Sequence, residues 1–131
     1  MILLDTHVLV WLVTEPRQLS HRAASVIRRA RQDQGIGIAS ISLWELAWLF
    51  VRGRLRRSGT VEASVRRVVE SAGVALRPIT PEIAALGTQF PDDFPRDPAD
   101  RLIAATARAG GLVLVTRDER LRGSPLLRTV W

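Results

Sequence analysis

Short apolar runs alternate along this chain with longer segments that open on helix-capping residues, and that alternation leaves few folds open. Ile2 to Leu4, Ile36 to Ala39 and Val74 to Leu76 read as short strands. Leu112 to Val115 is a continuous apolar run, of the kind found in parallel strands buried on both faces. Thr6 to Leu12 reads as a helix, broken at Glu15-Pro16. Ser20 is placed to cap a helix through Gln32, ended by Gly35, and Ser40 to cap one running to about Arg52, stopped by Gly53. Thr60 starts a further helix that Gly73 ends. Thr80-Pro81-Glu82 and Asp97-Pro98 pair a capping side chain with proline at the first helical position, and Gly110-Gly111 closes the second of these helices. Pro91 to Pro95 is a loop, Asp118 to Leu121 a single helical turn, and Arg128 to Trp131 a last edge strand. Strands and helices in this order predict an α/β fold, a three-layer α/β/α sandwich around a short-stranded, mainly parallel sheet. No repeat, linker or low-complexity tract interrupts it, so residues 1–131 read as one domain, large enough for a genuine core.

Four acids stand at the ends of these elements. Asp5 closes the first strand and Asp118 follows the last apolar run. Glu45 is the only charged residue between Ser40 and Val51, and Asp100 lies in the first turn after Pro98. In an open parallel sheet, sites form beyond the carboxyl ends of the strands, where Asp5 and Asp118 are placed. Carboxylates gathered there would repel one another and raise at least one pKa, unless a divalent cation shared them. Mg²⁺ or Mn²⁺ takes hard oxygen ligands of this kind, polarises a phosphoryl oxygen and turns bound water into a nucleophile. Each acid also has a plainer explanation. Asp97 is accounted for as the cap of the Pro98 helix, Asp100 by the helix dipole, and Asp118 by a turn. Glu45 resists such an account, because the segment Ile41 to Val51 is apolar almost all round. A helix of that composition is expected to be buried on more than one side, so an ionised Glu45 needs a partner, either a cation or a buried Arg.

Absences narrow the chemistry further. Without Cys there is no disulfide, thiolate nucleophile or iron–sulfur cluster, and without Lys no Walker A motif or Schiff base. Two histidines, His7 and His21, are too few for a three-histidine zinc site, and neither is assigned a role. The longest apolar stretch is far short of a membrane span, and Met1-Ile2-Leu3-Leu4-Asp5 lacks the basic leader of a signal peptide; a cytoplasmic protein is expected. Nineteen arginines against thirteen acids leave a net charge of +6, which favours a polyanionic partner.

The segments Leu4-Asp5-Thr6-His7, Ser40-Ile41-Ser42-Leu43-Trp44-Glu45, Arg96-Asp97-Pro98-Ala99-Asp100-Arg101-Leu102-Ile103-Ala104-Ala105-Thr106-Ala107 and Leu114-Val115-Thr116-Arg117-Asp118 resemble, in order and spacing, the four signature segments of the PIN domain. More narrowly they resemble the small PIN ribonucleases that serve as VapC-type toxins. The resemblance covers essentially the whole chain. It implies that Asp5, Glu45, Asp100 and Asp118 form the catalytic Mg²⁺ or Mn²⁺ site. Thr116, Thr6 and Asp97 are auxiliary in this picture, and Asp100 rather than Asp97 is the principal ligand. It implies metal-dependent endoribonucleolytic hydrolysis and a cognate antitoxin protein that covers the site; attack by metal-bound water rather than the ribose 2′-hydroxyl would leave 5′-phosphate and 3′-hydroxyl ends.

Arg52, Arg54, Arg56 and Arg57 could grip RNA phosphates, although a solvated surface explains them as well. Trp44 and Trp48 share a helix face and either pack into the core or anchor an interface. The second reading predicts a homodimer that also accepts a hydrophobic antitoxin segment near this helix. Two rival enzyme classes fail on single residues. A haloacid-dehalogenase-type phosphatase needs an Asp where His7 stands, and a receiver domain needs a lysine. A catalytically inactive PIN-like RNA-binding module, and a nuclease acting on DNA, stay open to assay.

Overall fold

The computed structural model describes residues 1–131. Five strands form one sheet: β1 (Ile2–Leu4), β2 (Ile36–Ala39), β3 (Ala75–Arg77), β4 (Val113–Val115) and β5 (Thr129–Val130). Their spatial order is β3-β2-β1-β4-β5 and every neighbouring pair is parallel, as the alternation of elements predicts. Leu3 sits between Gly37 and Leu114 at the middle of the sheet. Seven helices connect the strands: α1 (Thr6–Thr14), α2 (His21–Gln32), α3 (Ile41–Val51), α4 (Val61–Ala72), α5 (Pro81–Gly87), α6 (Pro98–Gly110) and α7 (Glu119–Arg122). A 3₁₀ turn over Pro16–Gln18 absorbs the break at Glu15-Pro16.

Side chains on successive strand residues point to opposite faces, and that period of two builds the three layers. Leu4, Ile36, Ile38 and Val115 face Val8 and Leu9 of α1, Ile27 of α2, Leu46 and Phe50 of α3, and Val68 of α4. Leu3, Ala39 and Leu114 face the other way, onto Ile83 of α5, Ile103 and Ala104 of α6, Leu121 of α7 and the loop residues Phe90 and Phe94. Leu3 and Leu4 are fully buried, one in each core, and truncating either to Ala is worth about 2–5 kcal/mol.

The caps follow the sequence at most positions. Ser20, Thr60 and Thr80 each accept from the backbone amide three residues on, and Gly73 and Gly111 end their helices with positive φ. Ser40 departs from expectation. Its backbone is already helical (φ −60°, ψ −25°) and its side chain makes no capping bond, because β2 runs into α3 without the extended residue a cap requires. The first helix extends to Thr14, the third strand begins at Ala75, and the fourth begins at Val113.

A second correction concerns α3. Its composition predicts burial on more than one side, but only Ser42, Leu46 and Phe50 are enclosed. Trp44 and Val51 are each 58% exposed and Trp48 is 40% exposed. Hydrophobic composition counts apolar residues without saying what covers them, and α3 carries more apolar surface than α4 and α6 can cover. No helix of the structure is long and apolar enough to cross a membrane.

Candidate active site

Strand order turns back on itself between β1 and β4. The chain builds β1, β2 and β3 outward in one direction, then returns to lay β4 on the free side of β1. Loops leaving the carboxyl ends of two such strands diverge and open a crevice. Asp5 leaves β1 and Thr116 leaves β4 at that point, 111 residues apart, and the Thr116 hydroxyl donates to Asp5 Oδ2 at 2.7 Å. The same Thr116 oxygen accepts from the Asp118 backbone N–H at 3.0 Å. A single buried hydroxyl therefore fixes both acids. Asp5 is only 4% exposed, and its second oxygen caps α1 by accepting from Thr6 N–H at 2.8 Å.

Glu45 reaches the crevice from the second turn of α3. Thr6 Oγ1 lies 2.5 Å from Glu45 Oε1 and 2.8 Å from Ser42 Oγ. Since Thr6 donates to the carboxylate, Ser42 supplies the proton to Thr6, and a two-hydroxyl relay holds Glu45. No Arg pairs with it. A threonine takes the place of the buried arginine that the sequence left open.

Asp97 caps α6, accepting at Oδ1 from Ala99 N–H at 2.7 Å and from Asp100 N–H at 3.3 Å. Asp118 caps α7, accepting from Arg120 N–H at 2.8 Å and Leu121 N–H at 3.3 Å. The positive ends of α1 and α6 thus point at the crevice and offset part of its negative charge. The offset is incomplete. Asp100 is pushed up to about 7, by its burial first and then by Asp97, Asp5, Asp118 and Glu45. Glu45 is also raised, by burial above all; the Thr6 hydrogen bond opposes this, and Asp5 and Asp97 add to it. At Asp118 burial pushes upward, but the hydrogen bonds from the Arg120 side chain and the Arg120 and Leu121 backbone amides outweigh it. Its pKa falls below the usual range.

Five carboxylates from four elements therefore share one field. They suit a hard divalent cation in kind and in surplus charge. As the side chains stand, no three acidic or histidine residues converge tightly enough to grip an ion. The reason is visible in their partners. Asp5, Glu45 and Asp118 are each engaged by hydrogen bonds, and the Arg120 guanidinium bridges Asp118 at 3.2 Å and Asp100 at 3.6 Å.

Three residues around the site were passed over in the sequence. Ser42 looked like one more small residue of an apolar helix. Arg120, two residues after Asp118, was lost among nineteen arginines. His7 was assigned nothing, yet its Nε2 accepts the Arg117 N–H at 3.2 Å and its Nδ1 lies 3.6 Å from Asp5 Oδ2. With Nε2 accepting, the ring turns its Nδ1 toward Asp5. The Asp-x-His spacing was the available signal. Arg52, Arg54, Arg56 and Arg57 lie elsewhere. α3 carries them about 10 Å or more beyond Glu45 at 1.5 Å per residue. Arg54 and Arg56 line a groove with Val13 and Thr14, at the end of α1 remote from Asp5. Arg52 lies 4.8 Å over the ring of Trp48.

Residues 2–123 match the PIN domain family. The chain is 42% identical over 132 residues to Ribonuclease VapC22 of Mycobacterium tuberculosis, covering 99% of this chain and 98% of that protein. Among solved structures it resembles a DNA-bound VapBC from Salmonella typhimurium, with a TM-score of 0.72 at 21% identity over 99% of this chain and 98% of that one. It also resembles a toxin–antitoxin complex from Klebsiella pneumoniae, with a TM-score of 0.67 at 20% identity over 100% and 97% of the two chains.

Proposed function

The chain belongs to the PIN-domain family, and from that footing we propose that it is a divalent-metal-dependent endoribonuclease, the toxin of a toxin–antitoxin pair, with residues 1–131 acting as one nuclease domain. One observation carries the reading. Five carboxylates from four elements face the crevice where β1 and β4 part, and burial first, then their mutual repulsion, raises the Asp100 pKa to about 7. A fold keeps such a costly arrangement where a cation is to be captured. The ribonuclease name of a relative 42% identical over nearly its whole length supports the substrate class. The toxin–antitoxin complexes among the structural neighbours support a protein antitoxin as partner.

Asp5, Glu45, Asp100 and Asp118 would hold the ion, with Asp97 beside them as cap and additional negative charge. Bound there, Mg²⁺ or Mn²⁺ supplies a Lewis acid for the phosphoryl oxygen and lowers the pKa of water. The remaining work falls to the chain itself. Thr116 keeps Asp5 and Asp118 in register across the crevice. The Ser42–Thr6 relay aims Glu45 and leaves its Oε2 free to take a proton. Asp100 stores a proton near pH 7 and gives it up as positive charge arrives. Arg120, once displaced from Asp100 and Asp118, stands at the rim with its guanidinium available to a phosphate.

Single-stranded RNA incubated with the protein and Mg²⁺ or Mn²⁺ should be cut, leaving 5′-phosphate and 3′-hydroxyl ends. EDTA or Asp5→Asn should abolish cutting. RNA that binds and stays whole under all conditions would return the protein to the class of binding modules. Termini carrying 2′,3′-cyclic phosphate would reject attack by water. DNA offered to the same preparation separates a ribonuclease from a general nuclease.

A further inference from the structure

Beside the acidic crevice lies a tract of alternating aromatic rings and arginines that the site itself does not use. His7, 3.6 Å from Asp5, meets Trp11 edge-on with ring centroids 5.0 Å apart. Trp11 in turn meets Trp131 at 5.8 Å, and the Arg117 guanidinium lies 5.7 Å over the Trp11 ring. Trp131 forms one wall of an open depression of about 420 Å³, whose rim carries Arg22 and Arg122. No step along this line exceeds 6 Å, so the tract is continuous from the acids to the depression.

The three arginines are exposed, and none forms an ion pair with a carboxylate; the ion pairs involve Arg66, Arg120 and His7. One acid, Glu119, shares the depression with them. His7, Trp11 and Trp131 are half-buried, with Trp131 packed on one side against the core. Packing explains their inner faces. It does not explain three unpaired cations set around their outer edges.

We propose that this tract binds single-stranded RNA running out of the active site, with bases stacking on Trp11 and Trp131 and phosphates held by Arg117, Arg22 and Arg122. The inference rests on the ribonuclease reading above and adds to it the path of the substrate. The acids repel a polyanion, so affinity must come from cations outside them, and Arg117, Arg22 and Arg122 are unpaired and joined to Asp5 through the aromatic rings. Stacking on aromatic rings with interspersed arginine is how proteins hold unpaired strands without regard to sequence. A duplex buries its base faces and would gain nothing from the two indoles.

The test measures binding of a labelled 12-nucleotide single-stranded RNA of mixed sequence, in EDTA so that nothing is cut, across a series of salt concentrations. Replacing both rim arginines (Arg22→Gln with Arg122→Gln) should lower the slope of log affinity against log salt by roughly 1.4, about 0.7 per phosphate contact on a single strand. Trp11→Leu should weaken binding about tenfold or more, and Trp11→Phe, which keeps a stacking face, should restore most of it. The duplex of the same sequence should be indifferent to Trp11. Arg54→Gln with Arg56→Gln, at the other end of the molecule, is the rival arm. If that pair carries the salt slope, or if the rim pair leaves affinity and slope untouched, the tract is refuted. Should Trp11→Leu lower the melting temperature, the exposed arginine pair alone decides. Cutting assayed with Mn²⁺ on the same preparations separates the two claims. Wild type that cuts while its affinity ignores the tract overturns the tract alone. Tract-dependent binding without any cutting overturns the nuclease and leaves the tract.

Discussion

Held up to about 7, Asp100 keeps its proton at pH 6, where an ordinary aspartate has lost it. The sign of the consequence is fixed by linkage. Between about pH 4 and 7 the folded chain retains a proton that the unfolded chain has released, so stability falls as pH rises through that window. Glu45, also raised, adds in the same direction. In EDTA the melting temperature should therefore drop from pH 5 to pH 8, and added Mg²⁺ should recover most of the loss at pH 8. Asp100→Asn should flatten the profile and melt higher than wild type at pH 8 without metal. Its cleavage rate should still fall by at least the roughly 10–100-fold that removal of a supporting group costs. A variant that loses both stability and activity would mean that Asp100 is a structural acid. The Asp100 effect was foreseeable in kind, since crowded carboxylates must shift. Its size was not, because it depends on burial and on four neighbouring carboxylates, three of them from distant parts of the chain.

Caps account for much of what was readable among the elements. Asp-Pro and Thr-Pro at helix starts, and glycines at helix ends, are local signals whose physics needs nothing beyond a few adjacent residues, and they placed α2, α4, α5 and α6 closely. Ser40 misled because its neighbours run from strand straight into helix, which no local signal records. Asp97 lies between two roles: its Oδ1 caps α6 while its charge raises Asp100 and Glu45. Two substitutions separate them. Asp97→Ala should lower the urea midpoint by an amount worth about 0.5–2 kcal/mol, because the cap is lost. Asp97→Asn keeps the cap and removes the charge. It should match or exceed wild-type stability at pH 8 and bring the Asp100 pKa down, as followed by carboxyl NMR. Equal destabilisation by both would deny the carboxylate any electrostatic part. Ser42 and Arg120 stayed hidden for a related reason. Their roles come from the packing of α3 against α1 and from a salt bridge between α7 and α6, and residue type alone signals neither.

Across the molecule, the apolar outer face of α3 is the largest departure from what composition suggested. Trp44 and Trp48 stack edge-to-face at 6.2 Å with Val51 beyond them, exposed rather than enclosed. Tryptophans left in water on one helix face are the usual anchors of an association surface. Light scattering at tens of micromolar should give the mass of a homodimer, and Trp44→Glu with Trp48→Glu should give a monomer that still unfolds cooperatively, at a temperature lowered by the loss of association. A wild-type protein already monomeric at that concentration would remove the dimer.

The bond between Thr116 and Asp5 closes a loop of 111 residues, and Asp118 depends on the same hydroxyl. A growing polypeptide emerging from the ribosome therefore exposes Asp5 long before the strand that completes the crevice has been made. Premature termination anywhere upstream of β4 yields a fragment with no assembled centre. A polypeptide that stops short of β4 has neither the Thr116 hydroxyl that holds Asp5 nor Asp118, so the acidic crevice belongs to the assembled sheet alone.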